Sequence, residues 1–119
     1  MLMNMHDDAD AQNALERAVA LDPKNTIALN NLAWFHATCF HQSFRNLARA
    51  IRLAKQANDL GGWKNPNDID TYAAALDLAG KHADAAIAEQ QAVSLAPKRT
   101  DLQNTLKKYQ SEATAPVPQ

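Results

Sequence analysis

The sequence predicts an all-α chain of stacked helical pairs, on three observations. One stretch is nearly repeated: residues 8–26, DADAQNALERAVALDPKNT, and residues 82–100, HADAAIAEQQAVSLAPKRT, are identical at 10 of 19 positions at a constant offset of 74. A weaker third copy, ARAIRLAKQANDLGG, puts Ala50, Ala57 and Leu60 where the others have Ala11, Ala18, Leu21 and Ala85, Ala92, Leu95. Composition is the third: 46% of the 119 residues are apolar but only 6% aromatic, an alanine-rich balance that favours close-packed helices over strands.

The N-terminal segment, residues 1–8, is too short and polar to supply a helix of its own and is expected to be disordered or folded back. Residues 9–22 carry Ala11, Leu15, Ala18 and Leu21 on overlapping turns, and Pro23 closes the helix. Residues 26–39 follow, with Asn25 as the cap. This helix and the one over 67–79 match at an offset of 40: Leu29, Leu32, Ala33 and His36 correspond to Ile69, Tyr72, Ala73 and Leu76, the i, i+3, i+4, i+7 spacing of an amphipathic helix. Helices over 46–60 and 83–95 complete the two pairs. A sixth, 100–111, capped by Thr100, turns Leu102, Leu106 and Tyr109 inward and covers the end of the stack. The tail, 112–119, with two prolines and no apolar period, is expected to be disordered.

Periods of about 20–50 residues mark solenoid repeats, and the pattern resembles the tetratricopeptide repeat family in a form common in bacterial proteins. The unit over 66–99 carries the resemblance best. Pro66 and Thr100 stand 34 positions apart, Gly80 is at the turn, Ala73, Ala85 and Ala92 take the small positions, and Pro97 closes the unit. The unit over 26–65 has an extended turn, CFHQSFRN, and Gly61-Gly62 in place of the proline; the segment 9–25 is a half repeat without its first helix. The resemblance implies an α-α superhelix of about two and a half helical hairpins plus a capping helix over 9–111.

It also implies a peptide-binding groove lined by the first helix of each pair. Carried onto this chain, the groove positions are Ile27, Asn30, Asn31, Trp34 and Thr38, then Asn67, Asp70, Thr71, Ala74 and Asp77. None is basic, which argues against the family's carboxylate clamp and for a neutral to basic peptide or helical partner. Trp34 has two readings, packing between repeats or contact with a partner, and Trp63 reads as a loop residue folded over the joint between units. The alternative function is structural: the uncovered face of the first helix, with Ala11, Leu15 and Ala18, associates with a second copy of the chain or with another segment.

Other function classes find little support. A formal charge of −1 provides no basic field for nucleic acid. No signal-like leader and no apolar run of spanning length is visible, so a soluble, cytoplasmic protein is expected. His36, Cys39 and His41 are ligand types close together, but without a fourth candidate they read as a packed histidine and an inert thiol. No phosphate loop or nucleophile motif is present. Neither an enzyme, a cofactor nor a metal site is expected.

Overall fold

The computed structural model describes residues 5–39 and 41–115, with side chains from Asp7 onward. Among these residues six α-helices follow one another: α1 (Met5–Leu21), α2 (Thr26–Thr38), α3 (Leu47–Gly61), α4 (Pro66–Leu78), α5 (His82–Leu95) and α6 (Thr100–Thr114). A single 3-10 turn, Gln42–Phe44, lies between α2 and α3. Among the described residues there is no strand, and each helix packs on the next in sequence, with α2 also against α4. The result is an all-α, repeat-like stack.

Helix ends follow local chemistry. Asn25 caps α2 by accepting from the amides of Ile27 and Ala28. Asn46 does the same for Arg49 and Asn65 for Asn67, with Pro66 in the first turn of α4. Each asparagine satisfies helix-start donors that otherwise lack partners, worth about 1 kcal/mol. Gly62, at φ 72°, is the left-handed residue that ends α3.

Three boundaries depart from the sequence expectation. α1 begins at Met5 rather than residue 9, so residues 5–8 form its first turn; Asp7 and Asp8 there suit the positive end of the helix dipole. Thr100 is the first residue of α6 and not its cap, that place being held by Arg99, whose side chain makes no capping bond. α6 continues to Thr114, into the expected tail. Residues 1–4 and 116–119, the rest of the segments expected to be disordered, lie outside the described residues.

The core has two leucine- and isoleucine-bearing centres joined by a layer of alanines. Leu29, Leu32 and Leu53 form the first with Ala33, Ala54 and Ala57, covered by Leu15 and Val19 of α1. Ile69, Ala92 and Leu102 form the second, continued by Ala73, Leu76, Ala85 and Tyr109. Ala37, Ala50 and Ala75 meet between them. Because methyl side chains let helix axes approach closely, this middle layer sets the spacing of α2, α3 and α4. The longer connection between α2 and α3 is tied down from both sides: the Phe44 ring sits edge-on to Phe35, and the Asn46 amide donates to the carbonyl of His36 at 2.9 Å.

Candidate functional site

The exposed face of α2 carries Ile27, Asn31, Trp34 and Thr38, which fall on one stripe of the helix. Ile27 is 71% and Trp34 47% exposed, and the Thr38 hydroxyl donates to the Trp34 carbonyl at 2.7 Å. Asn30 is half-buried at the edge of this stripe, and its side-chain oxygen has no hydrogen-bond partner among the described residues. Ala28, Leu29, Leu32 and Ala33 face the opposite way, into the core. Trp34 therefore stands outside the core.

Where α1 meets this stripe a depression of ≈ 440 Å³ opens, lined by Asn31, Trp34, Phe35, Thr38 and Cys39 of the α2 region and by Asp8, Ala11 and Leu15 of α1. Two residues read from sequence as a self-association stripe thus share one hollow with three groove positions. Leu15 is half-buried because it also packs on the Leu29–Leu32 centre, whereas Ala11 and Ala18 are exposed. Asp8, at the rim, is buried and faces the Nδ1 of His41.

α4 brings its half of the groove set beside α2, since the two helices are in contact. Asn67 is exposed, and Asp70 and Ala74 are half-buried. Thr71 and Asp77 are buried: the Thr71 hydroxyl donates to the carbonyl of Asn67 at 3.2 Å, and Asp77 engages His82. Arg99, from the α5–α6 turn, donates to the Asn67 side-chain oxygen at 2.6 Å and is also paired with Asp101. A guanidinium therefore borders a face whose own positions carry no cation.

Behind Asp70 lies Glu89, fully buried on α5, with neither carboxyl oxygen hydrogen-bonded among the described residues. Burial, reinforced by the Asp70 carboxylate, pushes its pKa up to about 9, so Glu89 is a neutral acid at pH 7. The charge facing solvent at this point is Asp70's.

His36, Cys39 and His41 do not converge. The buried His36 ring contacts the Phe44 carbonyl through Nδ1 at 3.1 Å and Arg49 through Nε2 at 3.0 Å. Since Nε2 accepts from the guanidinium, Nδ1 carries the hydrogen. Arg49 in turn forks onto both carboxylate oxygens of Glu16, linking α1, α2 and α3. Burial raises the Cys39 thiol pKa, which keeps it protonated and a poor nucleophile.

Ligand-type side chains do converge elsewhere. Asp77 at the end of α4, His82 at the start of α5 and Glu112 near the end of α6 present atoms all within 4.8 Å of one another. His82 Nδ1 lies 2.6 Å from Asp77 Oδ1 and 3.0 Å from Glu112 Oε2. In sequence Asp77 falls among the groove positions and the other two carry no signal, because residues 77, 82 and 112 show no ligand spacing along the chain. Glu89 left a clearer trace. It lies four residues after Ala85 and three before Ala92, on the stripe of small buried residues, where a carboxyl is out of place. No family model and no curated protein matches this chain.

Proposed function

We propose that the chain is a tetratricopeptide-like helical array that binds a peptide or helical segment of another protein along the faces of α2 and α4. The observation that carries this reading is the half-exposed Trp34 at the edge of an apolar hollow with Asn31 and Thr38 beside it. A rigid indole next to amide and hydroxyl groups is the composition of a protein contact site, where an aromatic anchor supplies area and neighbouring polar groups fix register. An amphipathic helix laid between α1 and α2 would cover Ala11, Leu15 and Trp34 with its apolar face. Farther along, Asp70 favours a neutral to basic residue in the partner, while Arg99 at the end of the face tolerates an acidic one.

Peptides selected from a random display library against the intact chain test this. The selected sequences should be amphipathic and neutral to basic over most of their length, and their amide shift perturbations should centre on Asn31, Trp34 and Asp70. The Trp34→Ala, Asn31→Ala double variant should bind at least about tenfold more weakly, in line with the loss of one interface anchor. Perturbations confined to the outer faces of α3 and α5 would overturn the reading.

A further inference from the structure

We propose that Asp77, His82 and Glu112 form a three-ligand site for a zinc-class divalent cation, with a fourth coordination position open to solvent. The site is separate from the α2 stripe and does not depend on peptide binding there.

Three helix ends assemble it. Asp77 lies in the last turn of α4, His82 is the first residue of α5, and Glu112 lies in the last turn of α6. The turn between α4 and α5, with Gly80 at φ 84°, reverses the chain sharply enough to bring His82 back onto Asp77 five residues earlier. Leu102, Leu106 and Tyr109 then bury α6 along its length and deliver Glu112 to the same point. All three positions are therefore fixed by the packing of the helices.

The electrostatics leave a charge to be supplied. Carboxylates in the last turn of a helix sit at the negative end of its dipole, the reverse of the favourable placement, and neither α4 nor α6 has a basic residue in its last turn to compensate. Asp77, which is buried, and Glu112 bring two carboxylates within 4.8 Å of each other. His82 Nδ1 faces both acids, yet one ring nitrogen carries at most one hydrogen and cannot donate a full bond to each. A divalent cation at that point would bind both carboxylates and the nitrogen lone pair at once.

Dimensions and ligand types fit zinc. Bonds of about 2.0–2.2 Å in a tetrahedral shell separate ligand atoms by about 3.4 Å, which lies between the 2.6 Å and 3.0 Å contacts of Nδ1 and the 4.8 Å limit on all three pairs. Side-chain rotations of several tenths of an ångström complete the shell. An imidazole with two carboxylates suits zinc better than calcium or magnesium, which take oxygen ligands. A depression of ≈ 400 Å³ lined by Gly80, Lys81, Asp84 and Ala113 together with His82 and Glu112 gives solvent access to two of the three ligands. Lys108 reaches Glu112 only at 3.8 Å and is 67% exposed, so its ammonium can swing away as the cation enters.

Titration of the full chain with Zn²⁺ by calorimetry, in metal-free buffer, tests the site. The expected result is one ion per chain, with at least about tenfold weaker binding in His82→Ala and in Glu112→Gln, and unchanged binding in the His41→Ala, Cys39→Ser double variant. Cobalt substituted for zinc should show the intense visible bands of a tetrahedral ion, lost in Glu112→Gln. If His82→Ala fails to fold, the half-exposed Glu112→Gln decides by affinity, and the ring resonances of His82 in the wild-type chain should shift on adding Zn²⁺. Absence of binding, binding that survives Glu112→Gln or His82→Ala, or equal affinity for Mg²⁺ would overturn the assignment. Loss of peptide binding by the Trp34 variant leaves it untouched.

Discussion

Among single residues, Glu89 ties stability to pH, because an acid with no hydrogen-bond partner among the described residues occupies a position that the flanking buried alanines mark as interior. Its folded pKa of about 9 lies above the ordinary 4.5. Between these values the folded chain holds a proton that the unfolded chain has released, so stability is complete below about pH 4.5 and declines as pH rises toward 9. The slope from this one group is at most about 1.4 kcal/mol per pH unit, and the nearby Asp70 charge, which titrates with it, makes it shallower. Urea unfolding at pH 5 and pH 8 should therefore show the wild-type chain losing more stability than Glu89→Gln over that interval, and Glu89→Leu should be the most stable of the three at pH 8. Equal pH dependence in wild type and Glu89→Gln would mean that the carboxyl is ionised and solvated in the fold. Trp63 shows how much a residue can hide from sequence. Reading it as a loop residue over the joint between units agrees with its edge-on contact with Tyr72 at 5.2 Å. Its positive φ of 58° and its indole bond to Asp59 at 2.9 Å had no trace in the local sequence.

At the scale of elements, α1 is attached differently from the other helices. Its apolar contribution to the core is Leu15 and Val19, and much of the remaining hold is polar: Glu16 to Arg49, and Asp8 to His41. Arg49 holds the Glu16 carboxyl below its usual range, so this contribution is present above about pH 4.5 and fades as pH falls through the lower, folded value. With both partners about a third exposed, solvent screening limits the pair to about 1 kcal/mol. Arg49→Met should accordingly raise hydrogen exchange in α1 while leaving α4 to α6 protected as before; an increase spread over all six helices would show that α1 does not open on its own. Every helix was legible in the sequence because apolar residues and alanines recur with the helical period, and Pro23 and Pro97 stop helices where expected. The starts were less legible. Asn46 and Asn65 cap α3 and α4 but sit among other polar residues that look equally suited, and the first turn of α1 owes its place to Asp8 finding His41 33 positions later. Partners that distant leave no periodic signature.

For the whole molecule, the question is how strongly the two ends of the stack are coupled. Leu29, Leu32 and Leu53 make one centre and Ile69, Leu102 and their neighbours another; Ala37, Ala50 and Ala75 are the buried residues of the layer that joins them, with Leu47 and Ile51 packed at its edge and the half-buried Tyr72 touching both sides. Alanines bury little apolar area each, and Tyr72 and Ile51 are only partly buried, so the coupling across the middle is weaker than the cohesion at either end. Each end also carries its own tryptophan: Trp34 on α2, and Trp63 packed against the Ile69–Leu102 centre. Leu102 is 1% exposed, and truncation to alanine should cost about 2–5 kcal/mol, transfer and cavity together. In a stack held by nearest-neighbour contacts that loss falls first on α4 to α6. Urea titrations of Leu102→Ala in single-tryptophan backgrounds should then show the Trp63 signal, read in Trp34→Phe, changing at a clearly lower concentration than the Trp34 signal, read in Trp63→Phe. Without Leu102→Ala the two signals should fall much closer together. Coincident transitions in Leu102→Ala would mean that the alanine layer transmits the full loss, and that the chain unfolds as one cooperative unit despite its divided core.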